Sequence, residues 1–332
     1  ANRNMPRLFV HPESYRPVDY QDYLAKAKLK SLVTDEVVAA TVTESLLQSF
    51  PYRRQCELYL EVNDSLMSPV RPPVYVQVFK DQMPGGPERQ WIYMKYNYMF
   101  DWSGLAEEKS FLGKMGAFFT GGDERRWHRL DIHTAAVLAF DRNYIVRTLT
   151  LIQHNYQKTY LAGRDFSYYR PPVIVAAKDT NELYLDTGSA DPVTYRVVTF
   201  LDDWEYLINP SASVTLWAQD QAYGPKAGAI EVPTRTEFVA PKFSLATFTG
   251  LLAPPRRILG MYIGRDGPPG YDYRGLPGYN GMPGLVAMGA WEYDDPELRD
   301  FLKGRLKGFA DTDWRAIKEW LADRLYRQLI GP

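Results

Sequence analysis

The chain has 332 residues, of which 45% are hydrophobic and 24% charged, and its formal net charge is −1. This is the composition of an ordinary folded protein, and the length suits one main body with an appendage. Lysine and arginine are scattered along the chain, which argues against nucleic acid as a partner. The longest apolar runs, such as Thr134 to Phe140, fall far short of the roughly 20 residues that a transmembrane helix needs, so we predict a soluble protein.

Processing and redox signals are sparse. The sequence begins at Ala1 without an initiator methionine, as a mature product does after removal of a signal peptide, so we expect a secreted or periplasmic protein. The single cysteine, Cys56, excludes an internal disulfide. Alternation around it predicts a strand with a buried, inert thiol.

The first fifty residues have a mainly helical pattern. Asp19 to Val33 carries apolar side chains near helical spacing, and Asp35 to Phe50 is a second candidate helix. The β-branched residues of the second segment, such as Val37 and Val38, disfavour that conformation.

From Cys56 onward the pattern changes to the alternation of strands. Val74 to Lys80 and Trp91 to Phe100 are predicted to form a hairpin around a Pro- and Gly-rich turn. The second strand places aromatic side chains on one face and Lys95 and Asn97 on the other, which is typical of a half-buried strand.

Short strands continue through the middle of the chain, separated by turn residues and not by long helices. The sequence therefore predicts a mainly β protein, an antiparallel β-sandwich with N-terminal helices and a C-terminal amphipathic helix at Asp311 to Ile330. We expect a sandwich body at 1–252, a Gly/Pro/Tyr-rich loop at 253–292 and a helical appendage at 293–332. The further predicted strands are Arg129 to Phe140, Ile145 to His154, Pro172 to Ala177, Thr194 to Phe200 and Ser213 to Ala218.

Six short segments occur in an order that is typical of a known family. They are Val10 to Pro17, Pro73 to Val78, Trp91 to Tyr98, Arg126-Trp127-His128, Gln153-His154 and Arg170 to Ala176. In this order they resemble the vacuolar protein sorting 62-related family, whose relatives include necrosis-inducing secreted toxins. The resemblance covers roughly residues 8–187 and implies a β-sandwich core, but fold alone does not carry activity.

The toxin relatives hold a divalent cation with an upstream Asp and with a His, an Asp and a Glu around an Asp-Trp-Glu motif. In this chain Arg126 and His128 stand at the positions of that Asp and Glu, and Asp123 falls near the His position. A guanidinium beside the ion would repel it, so the membrane-damaging activity should not be carried over.

The polar stretch Asp123 to His133, together with His154, holds three of the four histidines. If neighbouring strands align them, Asp123, His128 and His154 can bind a divalent metal, because imidazole and carboxylate ligands suit zinc, copper or iron. The favoured alternative is structural: the histidines sit at a strand rim or in hydrogen bonds, and the arginines of the stretch form a solvated ion-pair network.

The Gly/Pro/Tyr-rich loop offers a second candidate site. Tyrosine and tryptophan provide large contact areas for proteins or sugars, although such segments also occur as packed surface loops. The candidate binding residues are Tyr271, Tyr273, Tyr279 and Trp291.

Common catalytic motifs are absent, which argues against an enzyme. We expect a binding or structural protein in an envelope or extracellular assembly, with a protein partner or self-association. The alternatives are a metal-dependent hydrolase or toxin-like protein, and a carbohydrate-binding protein with a glycan partner.

Overall fold

The computed structural model describes residues 2–82, 90–104, 126, 128–131, 134–153, 156–178, 180–187, 193–197, 214–216, 228–240, 243–258 and 261–265. The predicted C-terminal helix lies outside these residues. None of the helices in the described ranges is long and apolar enough to cross a membrane.

The described helices are short. They are α1 (Tyr20–Lys26), α2 (Glu44–Ser49), α3 (Tyr52–Gln55) and α4 (Ser244–Thr247). Two begin at residues that cap free backbone amides, since Asp19 accepts from the Gln21 N–H and Thr43 from the Leu46 N–H.

Strands dominate the described part of the chain. The first ten are β1 (Arg7–Val10), β2 (Lys28–Ser31), β3 (Val37–Ala39), β4 (Leu58–Glu61), β5 (Pro73–Gln82), β6 (Gln90–Asn97), β7 (Phe100–Ser103), β8 (His128–Asp131), β9 (Ala135–Phe140) and β10 (Val146–Gln153). The others are β11 (Tyr156–Leu161), β12 (Val173–Ala176), β13 (Leu183–Leu185), β14 (Val193–Val197), β15 (Val214–Leu216), β16 (Ile230–Val232), β17 (Arg235–Phe238), β18 (Pro255–Ile258) and β19 (Met261–Arg265).

Two sheets form the body of a mainly β fold, as predicted. The larger has eight strands in the order β15-β14-β11-β10-β9-β6-β5-β17, and the smaller has four in the order β13-β12-β1-β16. Alternate side chains of both sheets share one apolar core, as in a sandwich. Members of this core include Leu8, Val76, Tyr96, Leu138, Leu149, Ile174 and Leu183.

A second core lies on the other face of the larger sheet. It joins Tyr75 of β5 to helix α1, to the small β3-β2-β4 sheet and to α4. The Tyr75 hydroxyl accepts a hydrogen bond from the Tyr20 N–H at 2.8 Å, so α1 is fixed directly to the sheet. The larger sheet is therefore covered on both faces at β5.

Several expectations were wrong in detail. The sandwich is not wholly antiparallel, because β1 pairs with β12, and β5 with β17, in parallel. Such pairings join distant segments, so local alternation cannot reveal them. The predicted strand Arg129 to Phe140 is instead two strands, β8 and β9, which belong to different sheets.

The amino-terminal helices are also shorter than expected. The segment Asp19 to Val33 ends its helix at Lys26 and continues as β2, whereas Val37–Ala39 is a strand and not the start of a helix. The β-branched side chains at Val37 and Val38 explain that difference. Cys56 ends α3, is partly exposed and donates to the Arg53 carbonyl, so it is not a buried strand residue.

Part of the predicted Gly/Pro/Tyr-rich loop at 253–292 has regular structure. Strands β18 and β19 pair as an antiparallel hairpin within it. The alternating aliphatic and aromatic residues of this part, including Ile258, Tyr262 and Ile263, favour a strand.

Candidate functional site

The structure describes little of the sites that were predicted. Asp123 and His154 lie outside the described residues, and so do Tyr271, Tyr273, Tyr279 and Trp291. His128 begins β8, where it pairs with Ser103 of β7. Within the described ranges, no group of three or more His, Cys, Asp or Glu side chains is arranged to hold a metal ion. The metal site stays a prediction.

The polar stretch does contribute to a buried cluster, formed by β7, β8 and Asn181. Arg129 forms an ion pair with Asp101 at 2.9 Å, and the two side chains are only 4% and 5% exposed. Arg129 also donates to the Asp64 carbonyl at 2.6 Å, and its guanidinium lies 4.7 Å from the centre of the Trp102 ring. Burial raises the pKa of the Asp101 carboxyl, although the nearby Arg129 charge opposes this shift.

Asn181 connects this cluster to the smaller sheet. Its amide donates to Asp131 Oδ2 at 2.9 Å and to the Trp102 carbonyl at 2.8 Å. Leu130 and Asn181 both have left-handed backbone conformations, with φ of 56° and 59°. Leu130 is also buried in the second core. The cluster is therefore a constrained, buried network in which Arg129 supplies the positive charge. Arg129 is thus not part of a solvated ion-pair network, whereas Asp123, Glu124 and Arg125, the other predicted members, lie outside the described residues.

A different surface has the properties of a binding site, and it begins at the turn between β9 and β10. The Asp141 carboxylate accepts from the Asn143 and Ile145 N–H groups at 2.9 and 3.0 Å and from Arg147 Nε at 2.9 Å. This turn holds Tyr144 at a φ of 60° with 73% of its surface exposed. The Tyr144 N–H donates to the Asp141 carbonyl at 2.9 Å, so this left-handed residue closes the hairpin turn and leaves its ring exposed.

The loop that follows β11 is also held by backbone and ring contacts. The Gly163 N–H donates to the Phe166 carbonyl at 2.7 Å, and Phe166 packs against the sandwich core. The Tyr168 ring covers Gly163, so closely that a Cβ at this glycine would overlap it. Tyr169 stacks edge-on against Tyr168 with ring centres 6.3 Å apart, and 94% of its own surface is exposed.

The turn and the loop lie at the same end of the larger sheet. The Ala162 N–H donates to the Arg147 carbonyl at 3.0 Å, which places the start of the loop beside the turn. Together the two segments carry four arginines and two aspartates. Asp141 pairs with Arg147 and Asp165 with Arg164. Their remaining arginines, Arg142 and Arg170, are exposed and have no ion-pair partner within the described part of the chain.

We call this surface the tyrosine–arginine end, defined by Arg142, Tyr144, Tyr168, Tyr169 and Arg170. It combines exposed aromatic rings with two guanidinium groups that have no ion-pair partner in the described part of the chain. Tyrosine and arginine are enriched among the residues that dominate binding interfaces, and guanidinium groups pair with carboxylates. The surface is suited to an acidic partner.

A cavity of about 250 Å³ lies elsewhere, between α2, α3 and α4. Its walls are fixed by Gln55, whose amide donates to the Leu47 and Phe50 carbonyls at 3.0 and 2.9 Å. The Glu44 carboxylate also fixes α2 to α4, since it accepts hydrogen bonds from the Ser244 N–H at 2.5 Å and from the Ser244 hydroxyl at 2.6 Å. Nothing in its lining selects a ligand.

The tyrosine–arginine end was not predicted from the sequence. A signal was present, because Tyr168-Tyr169-Arg170 stands between Gly163 and Pro171-Pro172, a context typical of exposed loops. The aromatic binding site was predicted instead in the later Gly/Pro/Tyr-rich loop. The members of the buried cluster were scattered over three segments, so Asp101 and Asn181 carried no shared signal.

Comparison with known proteins found no match among protein-family models, curated proteins or solved structures. The resemblance to the vacuolar protein sorting 62-related family therefore stays a prediction.

Proposed function

We propose that this chain is a non-catalytic binding protein whose tyrosine–arginine end docks an acidic segment of a partner protein. The observation that carries the proposal is Tyr169, an almost fully exposed aromatic ring next to Arg170, which is exposed and has no ion-pair partner among the described residues. Freezing a side chain on binding costs about 0.5–1.5 kcal/mol. Tyrosine has only two side-chain torsions, so this cost is small for Tyr169. Membership of an envelope or extracellular assembly is part of the same proposal.

A peptide-display selection tests this function directly. The full chain is immobilised and panned against random peptides, and the binders are expected to be enriched in Asp and Glu. The double variant Tyr169→Ala/Arg170→Glu should lose most of this binding, because it removes the exposed ring and reverses the charge. Binders that show no acidic enrichment, or that bind the variant equally well, would contradict the proposal.

A matched control separates a specific surface from general stickiness. Phe238 and Arg71 are also exposed but lie outside the tyrosine–arginine end. The double variant Phe238→Ser/Arg71→Glu makes a comparable change in hydrophobicity and charge and should bind the selected peptides as the native chain does. Loss of binding in this control would show that net charge alone controls the interaction.

An acidic glycan is the second candidate partner. The open face of Tyr169 can stack on a sugar ring, and Arg170 can pair with a sugar carboxylate. A glycan array that includes uronic and sialic acids distinguishes the two partners. Binding there, with none to acidic peptides, would favour a carbohydrate-binding function.

A further inference from the structure

The turn between β2 and β3 and the start of β3 expose consecutive residues, 33–38, which we call the acidic hairpin. Its tip carries Asp35 and Glu36, the one pair of adjacent acidic residues in the described part of the chain. Its aliphatic side chains are 78%, 53% and 40% exposed, at Val33, Val37 and Val38 respectively. The hairpin thus presents acidic and aliphatic groups to solvent side by side.

Hydrogen bonds hold the backbone of the acidic hairpin. The Ser31 N–H donates to the Glu36 carbonyl and the Asp35 N–H to the Ser31 carbonyl, both at 2.9 Å. The Tyr59 hydroxyl donates to the Asp35 carboxylate, and Lys30 Nζ lies 3.5 Å from Asp35 Oδ1. Asp35 is therefore partly neutralised by its neighbours. The Glu36 side chain is exposed and has no ion-pair partner within the described ranges, so its charge is available to another molecule.

The position of β3 in its sheet adds a second reason to expect a partner. The order β3-β2-β4 leaves one side of β3 without a paired strand among the residues that the structure describes. An edge strand that exposes apolar side chains is a favourable place for contact with another chain. The acidic hairpin combines such an edge with a free carboxylate.

The tyrosine–arginine end has complementary properties. Its arginines, Arg142 and Arg170, are exposed and lack ion-pair partners in the described part of the chain. Its rings at Tyr144 and Tyr169 are 73% and 94% exposed. Both surfaces are exposed in the same copy, so neither covers the other. A contact between them must therefore join two copies.

We propose that the tyrosine–arginine end binds the acidic hairpin of a second copy of this chain. The inference rests on the proposed function, because it names the acidic partner of the same surface. The guanidinium groups pair with the hairpin carboxylates, and the tyrosine rings cover the exposed valines. The two surfaces differ, so the contact is heterologous and copies join head to tail.

The small size of the acidic hairpin sets the strength of this contact. An interface built on six residues of one partner belongs to the class below about 1,200 Å², which is typical of weak association. The state of the chain should therefore depend on its concentration. Sodium chloride at about 1 M should reduce association, because it shortens the screening length to about 3 Å.

Two variants that each retain one half of the contact test the proposal. Glu36→Arg disables the hairpin, whereas Tyr169→Ala/Arg170→Ala disables the tyrosine–arginine end without adding a negative charge. In sedimentation velocity the native chain should associate as its concentration rises, and each variant alone should stay monomeric. An equimolar mixture should form dimers and no larger species, because only one native contact can form between the two variants.

Asp22→Arg is the matched control, since Asp22 is an exposed acid of α1 outside the hairpin and the charge change is the same. This variant should associate as the native chain does. A native chain that stays monomeric up to about 1 mM would overturn the proposal. Monomers alone in the mixture of complementary variants, or undiminished association of Glu36→Arg by itself, would also overturn it.

Peptide binding separates this result from a failure of the proposed function. Glu36→Arg keeps the tyrosine–arginine end intact, so it should bind the selected acidic peptides at least as well as the native chain. A monomeric native chain that still binds those peptides would exclude the second copy as partner and leave the proposed function standing. Absence of both association and peptide binding would contradict both.

Discussion

Arg129 Nη2 lies 2.9 Å from Asp101 Oδ1, in an ion pair that water scarcely reaches. Removing one member leaves the other charge buried without compensation. We therefore expect Arg129→Met to lower the free energy of unfolding by about 3–5 kcal/mol. Urea denaturation followed by circular dichroism measures this loss.

The exposed pair Arg54–Glu57 is the control for this variant, since both of its side chains are about half exposed. Surface ion pairs contribute about 0–1 kcal/mol, so Arg54→Met should change stability little. Equal losses of stability in Arg129→Met and Arg54→Met would show that the buried ion pair contributes no more than the exposed one.

Lys95 should make stability depend on pH. Its folded pKa is lowered to about 7 from an ordinary value of 10.5. Between these values the unfolded chain binds a proton that the folded chain does not, so stability rises with pH by up to about 1.4 kcal/mol per unit. Below pH 7 both states carry the proton, and the folded state bears the full cost of the buried charge.

The Lys95→Met variant removes the contribution of Lys95 to the pH dependence of stability. We expect the variant to gain most over the native chain below about pH 7, and the gain to shrink as the pH approaches 10. Urea midpoints measured at a series of pH values give the difference. Exposed Lys28→Met should show no such trend. If the urea midpoints of the native chain and of Lys95→Met change with pH in parallel, the burial of the Lys95 amine is contradicted.

Two glycines with left-handed backbones make a matched pair. Gly163 has a φ of 83° and lies under the Tyr168 ring, whereas Gly228 has a φ of 89° and open space around it. Alanine at either position should cost about 1–2 kcal/mol because of the backbone conformation. Gly163→Ala should cost more, since it also displaces Tyr168.

Thermal unfolding of both alanine variants checks the order of these losses. The peptides selected by the native chain provide a second measurement, because Gly163→Ala should weaken their binding and Gly228→Ala should not. If the two variants bind these peptides equally well, the geometry of the loop at Gly163 does not determine binding.

Glu44 connects α2 to α4 through two hydrogen bonds to Ser244. Hydrogen bonds to a charged group contribute about 1.5–3 kcal/mol each, so we expect Glu44→Ala to destabilise the fold by a few kcal/mol. A double-mutant cycle with Ser244→Ala should reveal strong coupling between the two positions. Additive losses would mean that the contact does not stabilise the fold, and exposed Glu13→Ala serves as the reference.

The sequence predicted the strands whose signal is local. Strands β5, β6 and β10 have clear alternation, and their observed ranges agree closely with the expected ones. The break between β8 and β9 was missed, and so was the left-handed conformation of Leu130, whose side chain is buried in the second core. A leucine there has no local signature.

The burial of Lys95 was missed for a related reason. Alternation reports that two faces differ, but it does not reveal whether the polar face is covered. The run Ala135 to Phe140 on the neighbouring strand was the better indicator, since all of its residues are apolar and buried. A strand that is apolar on both sides belongs to a sheet that is covered on both sides. The same reasoning, extended from β9 to the adjacent strand β6, would have predicted that Lys95 is buried.

Strand β1 lies between β12 and β16, so Leu8 pairs with both Ile174 and Val232. During synthesis β1 leaves the ribosome long before either partner strand. The apolar side chains of β1 therefore stay exposed on the nascent chain until those strands are made. The consecutive antiparallel pairs β5–β6 and β9–β10–β11 can assemble meanwhile, because local contacts form faster than distant ones. We therefore expect insertion of β1 to be a late event in folding, and the stage before it to be the one at which a chaperone for extended apolar segments would bind.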